Sequence, residues 1–377
     1  MRLFILVAAV SMFSGLGCQA QSIESPNEQN LEALDNANTT ISSGRQTAIT
    51  RAVEVAAPAV VSINVISVER VQVRDPFFSD PFFEQFFGRR SREYERLVQG
   101  LGSGFVISAD GYIVTNHHVI DNANEITVSF RDGSTLPAVV IGTDEATDLA
   151  LLKVDSDEEL RFIPFARSSA IVGEWAIALG NPFGLFDATE PTVTVGVVSA
   201  RDRDFEVKDR HVYRDMIQTD ASINQGNSGG PLVNAIGEVI GVNTFIFTQS
   251  GGSIGLGFAV PAAKASRIVD EIRTQGKVDR SYYTGLYGVD VDAAVARELR
   301  LEQPAGVLIE KVDPDSPAEI AGFKPWDVIV GVEGEFVANR GEFVARLYDF
   351  RPGDTVAFEA VRLGRPVVLQ MQLGRYE

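Results

Sequence analysis

From about residue 50 to residue 261 the chain reads as short β-rich runs separated by turns, a texture that admits few folds. Residues 104–108 and 112–114 flank Asp110-Gly111, the pattern of a hairpin with a tight turn. Further strand candidates are 126–130, 138–141, 149–154, 175–179 and 192–198, and the pair 232–233 and 239–242 brackets a turn at 234–237. Many short, evenly spaced strands with glycine punctuation predict all-β barrels. At 261–276 the period changes. Ile268, Val269 and Ile272 share one helical face, a proline stands near the start and Gly276 marks the stop.

Three stretches in this β framework carry chemistry. They are Thr115-Asn116-His117-His118-Val119, Thr147-Asp148-Leu149-Ala150-Leu151-Leu152 and Gly226-Asn227-Ser228-Gly229-Gly230-Pro231-Leu232. The chain has 3 histidines, so two of them directly after the strand-like run 112–115 are informative. Each piece alone has a plainer use: a surface turn for the glycine run, a loop carboxylate for Asp148, a satisfied core histidine for His118. Jointly, in the order His, Asp, Ser, they match the chymotrypsin arrangement rather than the subtilisin or α/β-hydrolase orders. The predicted fold is an all-β double β-barrel of chymotrypsin type, with His118 and Asp148 on the first barrel and Ser228 on the second.

The chemistry requires these residue types. A serine hydroxyl is a weak nucleophile, so an imidazole must take its proton during attack. That imidazole needs a buried carboxylate on its other nitrogen to fix the tautomer and stabilise the imidazolium. Glycines around the serine permit a tight turn that aims backbone N–H groups at the developing oxyanion, with Gly226 and Ser228 as the expected donors.

Composition narrows the class. With 377 residues and 45% hydrophobic content the chain can fill two or three modest cores. Its 33 basic and 51 acidic residues give a net charge of −18, which opposes non-specific nucleic-acid binding. The one cysteine, Cys18, falls in the N-terminal leader, so no disulfide framework is expected. No His/Cys cluster has metal-ligand spacing and no glycine loop has the phosphate-cradling context, so neither metal nor cofactor is expected. Residues 1–20 read as an export signal: Arg2, an apolar run from Leu3 to Phe13, then small residues to Ala20. Cys18 after Gly17 suits a lipid anchor, and cleavage after Ala20 is the alternative. Residues 21–48, rich in Asn, Gln, Ser and Glu, read as a disordered tether before a protease domain at 49–276.

Residues 281–376 form a second domain that mixes strands (306–311, 327–332, 355–361, 367–373) with short helices. Asp315-Ser316-Pro317-Ala318-Glu319 reads as a helix start, with Ser316 as cap and Glu319 closing a capping box. Leu363-Gly364-Arg365 is a tight turn. This order is that of a small α+β PDZ domain, which binds a chain terminus as an added strand and holds its carboxylate in backbone N–H groups.

Over about 50–376 the chain resembles the HtrA/Deg family of secreted bacterial serine proteases. The resemblance rests on the three stretches above, on Gln218-Thr219-Asp220-Ala221, on Asn243-Thr244 and on Gly257-Phe258-Ala259-Val260-Pro261. It implies His118, not His117, as the base, Ile223 and Ile246 in the primary specificity pocket, and backbone of Thr244 and Phe245 pairing with substrate. An apolar pocket would prefer small aliphatic side chains. The resemblance further implies a carboxylate-binding loop at Tyr283, Thr284, Gly285 and Leu286, a groove-flanking helix at 340–348, a relay loop at 200–213, a homotrimer and a periplasmic location. The phenylalanine-rich insert (Phe77, Phe78, Phe82, Phe83, Phe86, Phe87) reads either as a self-packed loop or as an assembly or occlusion contact. Two functional classes follow. One is an endopeptidase of unfolded exported polypeptides, or of one regulatory protein, switched by C-terminal peptides. The other is a peptide-binding or chaperone protein on a protease scaffold.

Overall fold

The computed structural model describes residues 44–74, 91–181, 190–205, 211–224, 226–246, 254–299, 301 and 303–376. The expected leader, nearly all of the tether and the phenylalanine-rich insert lie outside the described residues.

The chain first forms a helix, α1 (Ala48–Ala56), where the sequence predicts only tether and strand. Its contacts are made by small residues, Ala52 and Ala56, which bury fully without leaving a conspicuous apolar stripe in the sequence. Six strands then close the first barrel: β1 (Val60–Arg74), β2 (Ser91–Val106), β3 (Tyr112–Thr115), β4 (Glu125–Ser129), β5 (Thr135–Asp144) and β6 (Leu149–Val154). A helical turn, α2 (His117–Ile120), lies between β3 and β4. β2 starts well before the expected residue 104 because it pairs with β1 along its whole length, from Val60↔Phe105 to Arg74↔Ser91. The Asp110-Gly111 hairpin is present, with Gly111 at φ 96.

The second barrel contains β7 (Trp175–Gly180), β8 (Thr192–Arg203), β9 (Met216–Thr219), β10 (Pro231–Val233), β11 (Val239–Ile246) and β12 (Gly257–Pro261). Helix α3 (Ala262–Gln275) follows, and Gly276 ends it at φ 74 with its N–H on the Ile272 carbonyl at 2.8 Å. α3 returns to cover the outside of the first barrel, which explains a feature of β6. Leu149, Ala150, Leu151 and Leu152 are all buried because one face of the strand fills the barrel and the other meets the Ile268/Ile272 side of α3. A strand covered on both faces loses polar alternation.

The second domain is built on one antiparallel sheet in which Leu286–Asp290, Val307–Val312, Val328–Val332, Thr355–Arg362 and Arg365–Gln372 lie side by side in that order. In chain order its elements are β13 (Tyr282–Tyr283), β14 (Leu286–Asp290), α4 (Ala293–Leu299), β15 (Val307–Val312), α5 (Pro317–Ile320) and β16 (Val328–Val332). They continue with β17 (Glu335–Phe336), α6 (Arg340–Leu347), β18 (Thr355–Arg362), β19 (Arg365–Gln372) and β20 (Gly374–Arg375). Ile309, Phe323, Ile329, Phe343, Val356 and Phe358 centre its core. Leu363 and Gly364 turn β18 into β19 with φ of 50 and 74, the two-residue turn that matches strand twist. The capping box differs from expectation. Ser316 Oγ accepts the Glu319 N–H at 3.2 Å, but Glu319 Oε2 reaches past the cap to the Asp315 N–H at 2.7 Å. Asp315 has φ 58, and the Ser316 N–H that a capping box would use donates instead to the Asp313 carbonyl at 3.4 Å.

Candidate active site

His118 lies on α2, not at a strand end, so its separation from His117 comes from helical geometry rather than strand alternation. The outcome is the same: one of the two imidazoles meets Asp148. His118 Nδ1 is 2.7 Å from Asp148 Oδ2, and the His118 backbone N–H donates to Oδ1 at 2.9 Å. A carboxylate only accepts, so Nδ1 carries the proton and Nε2 keeps its lone pair toward the cleft. The His118 side chain is 44% exposed and that of Asp148 is 0% exposed. This is the asymmetry a proton shuttle and its orienting carboxylate need.

Asp148 adopts φ 57, the left-handed region, with a non-glycine side chain. Three bonds hold its backbone there. Its N–H donates to the Glu145 carbonyl at 3.2 Å, and its own carbonyl accepts the His117 N–H at 3.1 Å and Asn116 Nδ2 at 2.8 Å. The turn before β6 is thereby tied to the turn that carries His118.

Ser228 sits on the tight turn before β10. Gly226 has φ 113, and a Cβ at Gly229 (φ 81) would lie 2.3 Å from both the Ser103 carbonyl and Thr115 Oγ1. Only glycine lets this turn approach the first barrel so closely. Ser103, on β2, supplies the matching surface. Its N–H donates to the Ser228 carbonyl at 3.0 Å, its hydroxyl donates to the Gly226 carbonyl, and its Oγ accepts the Asn181 N–H at 2.7 Å. None of the three chemistry-bearing stretches of the sequence includes Ser103. The Gly102-Ser103-Gly104 run, which leads into the predicted strand at 104–108, is the available signal. Among the described residues neither the Gly226 nor the Ser228 N–H is taken by an acceptor of the chain. Ser228 Oγ donates to the Thr244 carbonyl at 3.2 Å.

Thr244 occupies a bulge in the β11–β12 ladder, where the register shifts between Asn243 and Phe245. The bulge takes its carbonyl out of the ladder and toward Ser228. Phe245 pairs with Phe258 and Ile246 with Gly257. The Phe245 ring closes an aromatic group with Phe205, Tyr213 and Phe258 at centroid distances of 4.6–5.2 Å. Ile223 is buried against Gly257, where a Cβ would come within 2.7 Å of Ile223 Cγ1.

Of the segment expected to act as a relay, 200–205 and 211–213 are described. Val212 N–H donates to the Ala146 carbonyl at 2.8 Å, and His211 Nδ1 lies 2.8 Å from the Glu145 carbonyl. Both contacts fall on the turn that carries Asp148. Beside this segment runs an ion-pair network. Arg214 meets Asp349 of the second domain at 3.2 Å and Asp204 at 3.5 Å, and Lys264 meets Asp215 at 2.8 Å and Asp349 at 3.3 Å. Burial disfavours the charge on Asp215, but Lys264, Arg214 and Arg346 outweigh it and hold the carboxyl below its ordinary range.

The second domain carries a groove of about 330 Å³ between β14 and α6. Tyr283, Thr284, Gly285 and Leu286 border one end, and Ile309, Phe343, Val344 and Leu347 are among its apolar lining. Gly285 has φ 77 and packs so closely on Ser316 that a Cβ would meet its side chain at 2.2 Å. Tyr283 Oη donates to Asp313 at 2.8 Å, a bond that pushes the phenol up to about 12. β14 is at the end of its sheet, so one edge is open among the described residues.

A trypsin-like peptidase domain family matches residues 102–242 and a PDZ domain family matches 270–373. The chain is 43% identical over 297 residues to the "Probable periplasmic serine endoprotease DegP-like" of Chlamydia trachomatis serovar D, covering 77% of this chain and 58% of that one. It is 38% identical over 339 residues to the protein of the same name in Marinomonas sp., covering 86% and 70%. Three chlamydial relatives are matched over 58–60% of their own length, so the chain spans about three fifths of those proteins. Among solved structures, the HtrA-type protease AlgW with decapeptide shares 36% identity at TM-score 0.65, over 87% of this chain and 99% of that one. A serine endoprotease from Yersinia pestis shares 32% identity at TM-score 0.56.

Proposed function

The chain belongs to the HtrA-type, DegP-like family of serine proteases, and from that premise we propose that it is an extracytoplasmic serine endopeptidase of unfolded or misfolded exported proteins. The observation that carries the proposal is the 2.7 Å pair between exposed His118 and buried Asp148, on the barrel against which the Ser228 turn is bonded. In this reading Ser228 Oγ rotates from the Thr244 carbonyl toward His118 Nε2, which takes its proton as Oγ attacks the scissile carbonyl. The oxyanion receives the Gly226 and Ser228 N–H groups, each worth about 3–4 kcal/mol in the transition state. His118 then protonates the leaving amine, and water, deprotonated by the same imidazole, releases the acyl group. The substrate strand pairs with the backbone of Thr244 and Phe245, with Ile223 and Ile246 at its primary pocket.

The groove at Tyr283–Leu286 binds C-terminal peptides and regulates the protease. Support comes from the ion pairs that Arg214 and Lys264 make with Asp349, which join the second domain to the segment lying on the Asp148 turn. A peptide activates only by binding the active arrangement more tightly, a coupling of about 1–3 kcal/mol, or roughly 5- to 150-fold in rate. The proposed assembly is a homotrimer, and the proposed location is the periplasm, which the relatives' names support.

The test is cleavage of unfolded casein by the wild type and by Ser228→Ala, with a titration of apolar-ended peptide. Ser228→Ala should lower turnover about 10⁶-fold while the fold and peptide binding persist. A Ser228→Ala variant with more than a few per cent of wild-type proteolysis refutes the assignment.

A further inference from the structure

Ser103 is fully buried on β2, in the first barrel, and each of its polar groups has a partner. Its hydroxyl donates to the Gly226 carbonyl and accepts the Asn181 N–H at 2.7 Å. Its N–H donates to the Ser228 carbonyl at 3.0 Å, and its own carbonyl accepts the Thr115 hydroxyl at 2.7 Å. The two carbonyls that Ser103 holds thus belong to the two residues whose N–H groups are the proposed oxyanion donors. Among the described residues no other donor reaches the Gly226 carbonyl.

The peptide group after each donor residue is bonded at both ends. The Gly226–Asn227 peptide gives its carbonyl to Ser103 Oγ and its N–H to the Asn224 carbonyl at 3.0 Å. The Ser228–Gly229 peptide gives its carbonyl to the Ser103 N–H and its N–H to the Asn243 carbonyl at 2.8 Å. A peptide group is planar, so bonds at both ends fix its orientation. Gly226 depends on this most. It stands at φ 113 with no Cβ, so nothing of its own keeps the backbone out of other conformations. We propose that Ser103 is a positioning residue of the oxyanion site: its hydroxyl sets the rotation of Gly226 and its N–H that of Ser228, so that both N–H groups converge on one point.

The direction of the effect follows. The nucleophile turn of the second barrel receives from the first barrel the group that orders it, so barrel docking completes the site. Without the hydroxyl, the Gly226 carbonyl and the Asn181 N–H lose their partner, and the Gly226 N–H is no longer held on the oxyanion. The proposed substrate pairing at Thr244 and Phe245 does not involve Ser103. The loss therefore falls on an interaction made in the transition state, which lowers kcat and leaves KM nearly in place.

The role rests on the endopeptidase reading, and the experiment separates the two. In the full chain, Ser103→Ala removes only the hydroxyl and keeps the backbone N–H. Two quantities are measured: kcat and KM on unfolded casein, and affinity for a peptidyl boronate ending in valine. The tetrahedral adduct of that boronate with Ser228 Oγ puts an oxygen in the oxyanion site. The expected result is a fall in kcat of about 10- to 100-fold, a KM within about threefold of wild type, and boronate affinity weakened by a factor like that in kcat. Ser103→Cys keeps the shape and offers a weak donor, so it should fall between alanine and wild type. It carries the test where Ser103→Ala fails to fold. Unchanged kcat and boronate affinity, even in a less stable protein, would reduce Ser103 to a contact between barrels and overturn the proposal. A raised KM with kcat intact would overturn it too. A wild type that binds boronate but cleaves no polypeptide sinks the endopeptidase reading alone, and the boronate affinities of the variants then decide the role of Ser103. A wild type that does neither overturns both.

Discussion

Arg280, at the start of the second domain, directs its guanidinium onto both carboxylate oxygens of Asp144, on the turn that leads to Asp148. Asp144 is 5% exposed and also accepts the Thr147 hydroxyl. Arg280 Nε donates to the Tyr348 carbonyl at 2.9 Å, and the guanidinium lies 5.5 Å from the Tyr348 ring. One side chain thus joins the end of α6 to the turn that orients the proposed catalytic carboxylate.

Removing one member of a buried, hydrogen-bonded ion pair leaves the other uncompensated, at about 3–5 kcal/mol. Arg280→Ala should therefore destabilise the chain by roughly that amount in denaturant unfolding, and Arg280→Ala with Asp144→Asn should recover part of the loss. It should also blunt the rate response to activating peptide. An Arg280→Ala protein with unchanged stability and an unchanged response would show that the contact couples nothing.

The two adjacent histidines should separate cleanly. His118→Ala removes the group that meets Asp148 and should abolish proteolysis, whereas His117 contributes its backbone N–H to the Asp148 carbonyl. His117→Ala retains that N–H and should stay folded and substantially active. Reversed phenotypes in a casein assay would move the base to His117.

Acid should loosen the join between the second barrel and the second domain. Asp215 is held below its ordinary pKa in the fold, so its contribution is present above the unfolded value near 3.9 and is lost as pH falls through the lower, folded value. Melting temperature measured between about pH 2 and pH 6 should decline over that acid window, and Asp215→Asn should flatten the decline. An identical pH profile in the variant would mean that other carboxylates carry the effect.

The proposed capture of a chain terminus at Tyr283–Leu286 would depend on its negative charge, because charge-assisted bonds to backbone N–H groups are roughly twice as strong as neutral ones. Amidating the last carboxylate of an activating peptide should weaken binding sharply. Equal activation by amide and free acid would remove carboxylate recognition from this loop.

The residues legible in the sequence were those whose chemistry dictates both residue type and local spacing. His118, Asp148 and Ser228 stand in short motifs, and the Asp110-Gly111 and Leu363-Gly364 turns need positive φ wherever they fall. Strand runs and the α3 stop at Gly276 were readable for the same local reason. Elements without a period of their own were not. α1 buries alanines, and α2 is too short to show a helical pattern, so the histidines looked like strand-end residues.

By itself the sequence determined the β-rich barrels, the order of the proposed catalytic side chains and the presence of a second domain, because strand alternation, turn chemistry and nucleophile activation act over a few residues. Only the tertiary structure decided which groups support that chemistry. Ser103 reaches the Gly226 carbonyl across 123 positions of sequence and Arg280 reaches Asp144 across 136. Such contacts are set by barrel closure and domain docking, and no short-range pattern in the chain encodes which distant residues those events bring together.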